Sequence, residues 1–491
     1  MKKIIASVIF LTLLSQVLIA QTSVDALRYS RLFYNGTARF QGMAGAFGAV
    51  GADFSVLATN PGGIGMFKST EMTITPNLWI ANSSAGYNNV TSGDNKVNFA
   101  LGNIGVVFTI NPYKKDKTGG FQNFNIGFGM NRENDFNTRV FMKGPNNQNS
   151  LMTSFTNTLN NYPGGISPDM INSIYPFDIG PAYDANLIYY DAQKKQYLAD
   201  APNGGVNQQK TVSTSGSINE FDISLGGNYN DKIYFGGTIG IPVIRYYERA
   251  SYIETRLDPS IPHFRSLTYD QYLQTHGTGI NLKLGVIYRP FPWFRIGAAI
   301  HTPTYFGNMK DSWNSSISSQ FTDSTQWNST INSPLGEYNY EMTTPFRAIG
   351  SLAFTIGHFG LISAEYEYVN YNQARFYSGD TSSFTDVNSQ IKSSYTSPVN
   401  VRIGTEWRIN NFRLRAGFGY YGSPYKSGIN NGEQYVVSGG LGYRAKSYFF
   451  DAGYSWSQMK EDYYLYDPNL VNPSNNTWNN NNISLTFGIR L

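Results

Sequence analysis

Apolar and polar positions alternate with a period of two over much of this chain, and that pattern sets the first expectation. At the C-terminus Ile483, Leu485, Phe487, Ile489 and Leu491 are separated by Ser484, Thr486, Gly488 and Arg490. Val399, Val401, Ile403, Thr405 and Trp407 alternate with Asn400, Arg402, Gly404, Glu406 and Arg408, and Phe412 to Tyr420 and Ile280 to Tyr288 repeat the pattern. Successive side chains of a strand point to opposite faces, so each segment has one greasy and one polar face. The alternation predicts strands near 71–81, 96–110, 121–131, 216–229, 232–246, 277–289, 294–305, 338–356, 360–371, 395–408, 412–422, 434–445, 447–459 and 481–491. In the second of these, Val97, Phe99 and Leu101 share one phase while Ile104, Val106, Phe108 and Ile110 share the other. A β-bulge near Gly102-Asn103 is expected.

A soluble sandwich also alternates; the connections separate the two cases. Short turns are expected at Asn230-Asp231, Pro290 to Trp293, Gly357 to Phe359, Ile409 to Asn411 and Ala445 to Lys446, with Asn111 to Gly120 the longest of that set. Long connections fall between the others: 82–95, 132–215, 247–276, 306–337, 372–394, 423–433 and 460–480. Short turns at one rim and long loops at the other mark a barrel crossing a membrane. The fold class expected is therefore all-β, a fourteen-stranded antiparallel transmembrane β-barrel. The largest loop, 132–215, is expected to fold over the mouth, with short helices at Ser150 to Asn160 and Ser167 to Ile174.

Composition agrees. Charged residues make up only 14% of the chain, and 36 Tyr and 32 Phe make it rich in aromatics. Trp79, Trp293, Tyr305, Phe306, Tyr371, Tyr420, Tyr421, Tyr463 and Tyr464 gather near strand ends, as interfacial girdles do; ordinary β-propensity of aromatics is the other reading. A net charge of +4 with scattered basic residues gives no reason to expect a nucleic-acid partner. With no cysteine there is neither a disulfide framework nor thiolate chemistry.

Residues 1–20, with Lys2 and Lys3 before an apolar run ending at Ala20, are expected to be a secretory signal peptide. Residues 69–491 form the expected barrel. Residues 21–68 do not alternate. Gly42, Gly45, Gly48 and Gly51 recur every three residues among small neighbours, before Asn60, Pro61, Gly62 and Gly63. A phosphate loop would need a lysine motif or a strand–loop–helix context that this stretch lacks. A fourteen-stranded barrel is too wide for its wall side chains to fill, so this compact segment is the candidate N-terminal plug.

These residues resemble those of the FadL/TodX outer-membrane transporters. Gly45 to Gly63, with Gly-Ala-Asp, Ala58 and the Asn-Pro pair, is similar to that family's N-terminal hatch. Pro398 to Trp407, Phe412 to Gly417, Gly440 to Tyr443 and Asp451 to Tyr454 are similar to its strand phrases. Gly62 stands where members usually have alanine. The resemblance implies a hatch inside the barrel, location in the outer membrane of a Gram-negative-type bacterium, and passive uptake of small hydrophobic molecules such as long-chain fatty acids or aromatic hydrocarbons. It also implies a kinked third strand with a lateral gap, whose counterpart here lies near Gly127, Gly129 and Asn131. A surface adhesin or structural barrel, or a simple polar-solute porin, is the alternative.

Candidate ligand-binding residues are Phe40, Met43, Phe47, Phe54, Met66 and Phe67, which could equally pack the plug. Glu365 and Glu367 could do acid–base work. Arg402, Arg408, Arg413 and Arg415 on the next strands instead suggest a lumen charge network. His263, His276, His301 and His358 share no metal-ligand spacing. Neither enzyme, metal nor cofactor is expected. The partners expected are outer-membrane lipid and a hydrophobic small molecule, and the barrel is expected to be a monomer.

Overall fold

The structure, a computed structural model, describes residues 21–110, 120–199, 205–258, 263–378 and 384–491. The expected signal peptide and nearly all of the Asn111 to Gly120 connection lie outside them.

Fourteen antiparallel wall strands follow the chain. They are β1 Glu71–Tyr87, β2 Val90–Ile110, β3 Phe121–Asp135, β4 Val206–Tyr229, β5 Ile233–Arg256 and β6 Phe264–Phe291. Next come β7, in two pieces Phe294–His301 and Tyr305–Phe321, and β8, in two pieces Gly336–Thr343 and Arg347–Ile356. β9 is Gly360–Val369 with a short extension Arg375–Tyr377, and β10 to β14 are Asn400–Ile409, Phe412–Tyr421, Gln434–Arg444, Tyr448–Tyr463 and Ser474–Arg490. Each strand pairs with the next, and β14 returns to β1 with Arg490 opposite Glu71. Closure leaves no free edge in the hydrocarbon, where an unpaired backbone group costs several kcal/mol.

All fourteen strands stand where alternation puts them, but those near the loop rim run further. β1 and β2 join through Asn88-Asn89, both at positive φ, so the expected 82–95 loop is a two-residue hairpin. β4 starts at Val206 instead of 216, and β6 at Phe264 instead of 277. The reason is solvent. Beyond the membrane both faces of a strand can be polar, as in Ser83-Ser84 and Thr91-Ser92, and the alternation that reports lipid disappears while the ladder continues. The bulge expected near Gly102-Asn103 is present: Thr75 faces Asn103 but Pro76 faces Leu101, leaving Gly102 unmatched opposite a residue with no N–H to give. In the 132–215 region, Ser150 caps a helix Leu151–Asn160, and a turn Pro168–Met170 leads into Ile171–Ile174.

Outward side chains form the apolar band, for example Leu225, Ile239, Leu282, Ile300, Phe418 and Phe487. Part of the expected aromatic girdle lies elsewhere. Trp293 is 53% exposed and stacks on Phe291 with centroids 5.6 Å apart, and Tyr305 and Tyr464 are exposed. Phe306 and Tyr371, however, are 1% and 4% exposed and belong to a buried cluster, and Trp79 turns inward to donate from Nε1 to the Asn137 carbonyl. Proximity to a strand end does not say which face a ring takes; parity along the strand does.

Candidate functional site

Residues 21–68 fold as a chain of short turns, each fixed by its own cap. Helix Ser23–Ser30 starts at a capping box between Thr22 and Asp25. Thr37 caps Ala38–Gln41 and gives its hydroxyl to the Asp53 carboxylate at 2.9 Å, while Asp53 caps Phe54–Leu57. Asn60 caps Pro61–Met66, accepting from Gly62 N at 3.0 Å and donating to the Gly48 carbonyl at 2.5 Å. These local oxygen–amide bonds satisfy a backbone with no ladder to join.

The segment is buried against bore-facing positions of the wall, and the wall is shaped to receive it. Wall glycines pair across strands: Gly105 with Gly129, Gly226 with Gly236, Gly236 with Gly285, Gly404 with Gly417, and Gly440 with Gly453. A Cβ at Gly404 would stand 2.6 Å from the Met43 carbonyl oxygen, and one at Gly453 2.7 Å from that of Ala38. At Gly236 it would meet the Pro61 carbonyl, and at Gly105 the Phe54 ring. Backbone thus lies on backbone around much of the bore. The same packing accounts for Gly62, where an alanine methyl would come 2.8 Å from Val286 Cα. The alternation along each strand places these glycines on the inner face but does not show that they meet across strands. The available signal was that they fall directly opposite one another once the register is known.

Two ion networks tie the segment to β8–β13. Arg402 bonds both Glu365 (Nε to Oε1, 3.0 Å) and Glu367 (Nη2 to Oε2, 2.8 Å), and Glu365 Oε2 accepts from Gly48 N at 2.6 Å. Arg347 completes this network, pairing with Glu367 at 2.5 Å and donating to the Ser30 carbonyl. In the second, Glu406 lies between Arg39 of the segment (2.9 Å) and Arg415 (2.6 Å), and Asp451 bridges Arg415 (2.7 Å) to Arg444 (2.8 Å). The predicted carboxylates and arginines therefore split between two networks. Arg408 and Arg413 join neither: Arg408 is exposed at the turn rim, and Arg413 donates to the Asn410 and Phe412 carbonyls. Arg39, Arg347, Glu406, Asp451 and Arg444 were missed as network members, because the segment's placement decides which charges meet.

Of the candidate ligand residues, Phe40, Met43, Phe47, Phe54 and Phe67 share one buried cluster, with Phe40 and Phe47 ring centroids 5.4 Å apart; Met66 is half-buried against Gly51. Above them, a cavity of about 20 Å3 lies among Leu32, Glu133, Lys283, His301 and Phe306, room for about one water. A larger concavity of about 790 Å3 is lined by outward residues such as Leu225, Leu284, Val286 and Ile300, so it faces lipid and not the bore. His301 faces inward, 2.6 Å from the Thr59 carbonyl, whereas His276 is half-buried on the outer face beside Tyr247 and Gln274.

The wall is interrupted between β2 and β3. These strands pair only from Asn103 to Ile110 and from Phe124 to Asn131. Glu133 is then an unmatched bulge residue against β4, and its carboxylate turns in to Lys283 at 3.2 Å. After β3 the chain re-forms as strand Thr138–Asn146, which pairs with β4 and lies on the inward side of β1 and β2, where Ser83 Oγ donates to the Arg139 carbonyl. This leaves a window above Asn103 and Asn131. Phe99, 75% exposed, stands at its margin, and Arg132 Nε reaches across to the Leu101 carbonyl at 3.3 Å. Behind it the N-terminal segment is bonded to the β3 edge: Phe33 N to Glu133 O (2.8 Å), Asn35 N to Arg132 O (3.0 Å), and Asn134 Nδ2 to Arg31 O (2.9 Å). Asn131 is at the lower rim, bonded to Asn103 and Asp222, while Gly127 and Gly129 lie below it against Leu57 and Phe54.

A closed fourteen-stranded barrel with an apolar outer band has the architecture of a transmembrane β-barrel. In particular it is the fold of the FadL/TodX transporters, as the sequence resemblance implied. A FadL homologue from Pseudomonas aeruginosa superposes with a TM-score of 0.52 at 13% identity, covering 93% of this chain and 98% of its own. The Pseudomonas putida toluene transporter TodX gives 0.51 at 12% identity, with 93% and 99% covered. No protein-family profile and no curated protein sequence matches the chain.

Proposed function

We propose that this protein is an outer-membrane channel for passive uptake of small hydrophobic molecules, with residues 21–68 as its hatch. The observation that carries the reading is the window between β2 and β3, backed by the segment that fills the bore. A water-filled porin has no use for a bore packed backbone to backbone. A hydrophobic solute, by contrast, gains by leaving sideways into lipid, at about 25 cal/mol per Å2 of apolar surface kept from water. The superposed proteins are a FadL homologue and a toluene transporter, which supports the same substrate class.

On this reading the solute descends from the loop rim past the aromatic cluster around Tyr29, Phe136, Tyr246 and Phe306. It leaves through the window once Phe33 and Asn35 release β3. Phe40, Met43, Phe47, Phe54, Met66 and Phe67 are then ligand contacts only in a rearranged hatch, since in this state the four phenylalanines and Met43 share one buried cluster and Met66 packs on Gly51. The mature chain works as a monomer after loss of residues 1–20. Planar-bilayer conductance and uptake of labelled oleate and toluene test the proposal. The intact protein should conduct no steady ionic current and should accelerate uptake, and deletion of 21–68 should open an ion-conducting pore. A porin-like current from intact protein, or uptake unchanged by loss of the gene, overturns it.

A further inference from the structure

The outer face of β5–β7 changes character abruptly toward the loop rim. Along β5 the outward residues Ile233, Phe235, Ile239, Ile241 and Val243 are apolar, and the next three in the same phase are Arg245, Tyr247 and Arg249. Tyr247 faces Gln274 on β6, and Arg249 faces Tyr272, over whose ring it lies at 5.8 Å. Lys96 arrives from β2 across the window, donating to the Thr214 carbonyl at 2.6 Å. Lys96, Tyr247, Arg249, Tyr272 and Gln274 border a cavity of about 400 Å3, and Arg245 lies one step below Tyr247 on the same face of β5.

The electrostatics of this patch are one-sided. Among the described residues neither Arg245 nor Arg249 has an ion-pair partner. Glu248, which also borders the cavity, belongs to the bore-facing phase and bonds the Tyr246 hydroxyl. Lys310 on β7 is already neutralised by Glu337 at 2.9 Å. Arg245 and Arg249 therefore stand just above the hydrocarbon band without an ion-pair partner among the described residues, beside two phenol rings and amide and hydroxyl donors. Guanidinium suits phosphate, and phenol rings and Gln274 suit the faces and hydroxyls of a sugar.

We infer that this face binds the headgroup of a phosphorylated glycolipid in the leaflet on the loop side. Height selects the occupant: a free anion has no reason to sit at the edge of the apolar band, whereas an acylated sugar phosphate places its phosphate there while its chains run down past Val243 and Ile239. Because Lys96 also bridges the window, the bound lipid lies at the margin of the proposed exit. The inference does not depend on what the channel carries, and its failure would leave the uptake reading intact.

Native mass spectrometry of the detergent-purified protein titrated with lipid A tests it. The unmodified protein should retain lipid A, and the double variant Arg245→Gln/Arg249→Gln should bind it at least about tenfold more weakly, a loss of about 1.4 kcal/mol. Arg408→Gln at the opposite rim should bind as before. Tyr272→Ala should weaken binding by a smaller factor, which keeps the test alive should the double variant misfold. Fully dephosphorylated lipid A should bind the unmodified protein no better than lipid A binds the double variant. Equal binding by the double variant, equal retention of phosphatidylglycerol, or displacement by inorganic phosphate at the lipid's own concentration would each overturn the proposal.

Discussion

Two sectors of the wall treat the N-terminal segment in different ways. Over β8–β13 it is held by buried ion networks, Arg347–Glu367–Arg402–Glu365 and Arg39–Glu406–Arg415–Asp451, and by Gly48 N on Glu365. Over β2 and β3 it is held by neutral backbone and amide bonds from Phe33, Asn35 and Asn134, beside a ladder that stops at Asn103. Buried charges that lose a partner cost several kcal/mol, whereas a neutral hydrogen bond exchanged for one to water costs about 1 kcal/mol. The segment is thus anchored firmly on one side and lightly on the side where the wall opens. A rearrangement that swings about the β8–β13 anchor and releases β3 is the cheap one.

The comparison breaks if the sectors respond alike. The largest effect is expected from Arg402→Ala, which leaves Glu365 and Glu367 short of their shared cation in a buried site. About 3–5 kcal/mol of stability should go, seen as a lower unfolding temperature of the barrel in detergent. Glu365→Gln made together with Arg402→Met should recover part of it. Next, Gly417→Leu drives a side chain into the backbone of Met43 and Ala44. Overpacking of this kind costs about 1–3 kcal/mol, and displacement of the segment should appear as ionic leak in planar bilayers.

The light side is tested through the window itself. The chain has no cysteine, so cysteines placed at 101 and 132 can be joined specifically by a short bifunctional maleimide. Linking them should cut uptake of labelled toluene or oleate at least about tenfold with no loss of stability. Undiminished uptake through the linked protein would show that solute does not leave between β2 and β3. The smallest effect is expected from Asn134→Ala, which removes one side-chain bond to the Arg31 carbonyl. It should cost about 1 kcal/mol, well below the loss expected of Arg402→Ala, and raise uptake a few-fold. If Asn134→Ala proves as damaging as Arg402→Ala, the two sectors are equally firm.

The strand order and the bulge at Gly102 were legible because each strand meets lipid on one side, which imposes period two on its own residues. The loop-rim extensions of β1, β2, β4 and β6 were not, since outside the membrane polar residues on both faces erase that period. Among the site residues, the pairing of Arg402 with Glu365 and Glu367 followed from parity on neighbouring strands. The roles of Arg39 and Arg347 did not, because they depend on where a non-alternating segment comes to rest. Phe306 and Tyr371 were assigned to a girdle by proximity to strand ends, and the fold put them in the core.

By itself the sequence determined a cylinder with a lipid face and an inner face, because alternation is a local property that two solvents write into every strand. It also determined that 21–68 could not be wall, since Gly and Ala every third residue and Asn60-Pro61 admit no ladder. Only the tertiary structure decided that glycines far apart in the chain line up to seat a backbone, that Glu133 is the unmatched residue of β3 against β4 just beyond the end of the β2–β3 ladder, and that one sector holds the segment by ion pairs and the other by neutral bonds. Those facts depend on register and closure, which bring together residues hundreds of positions apart and leave no periodic trace along the chain.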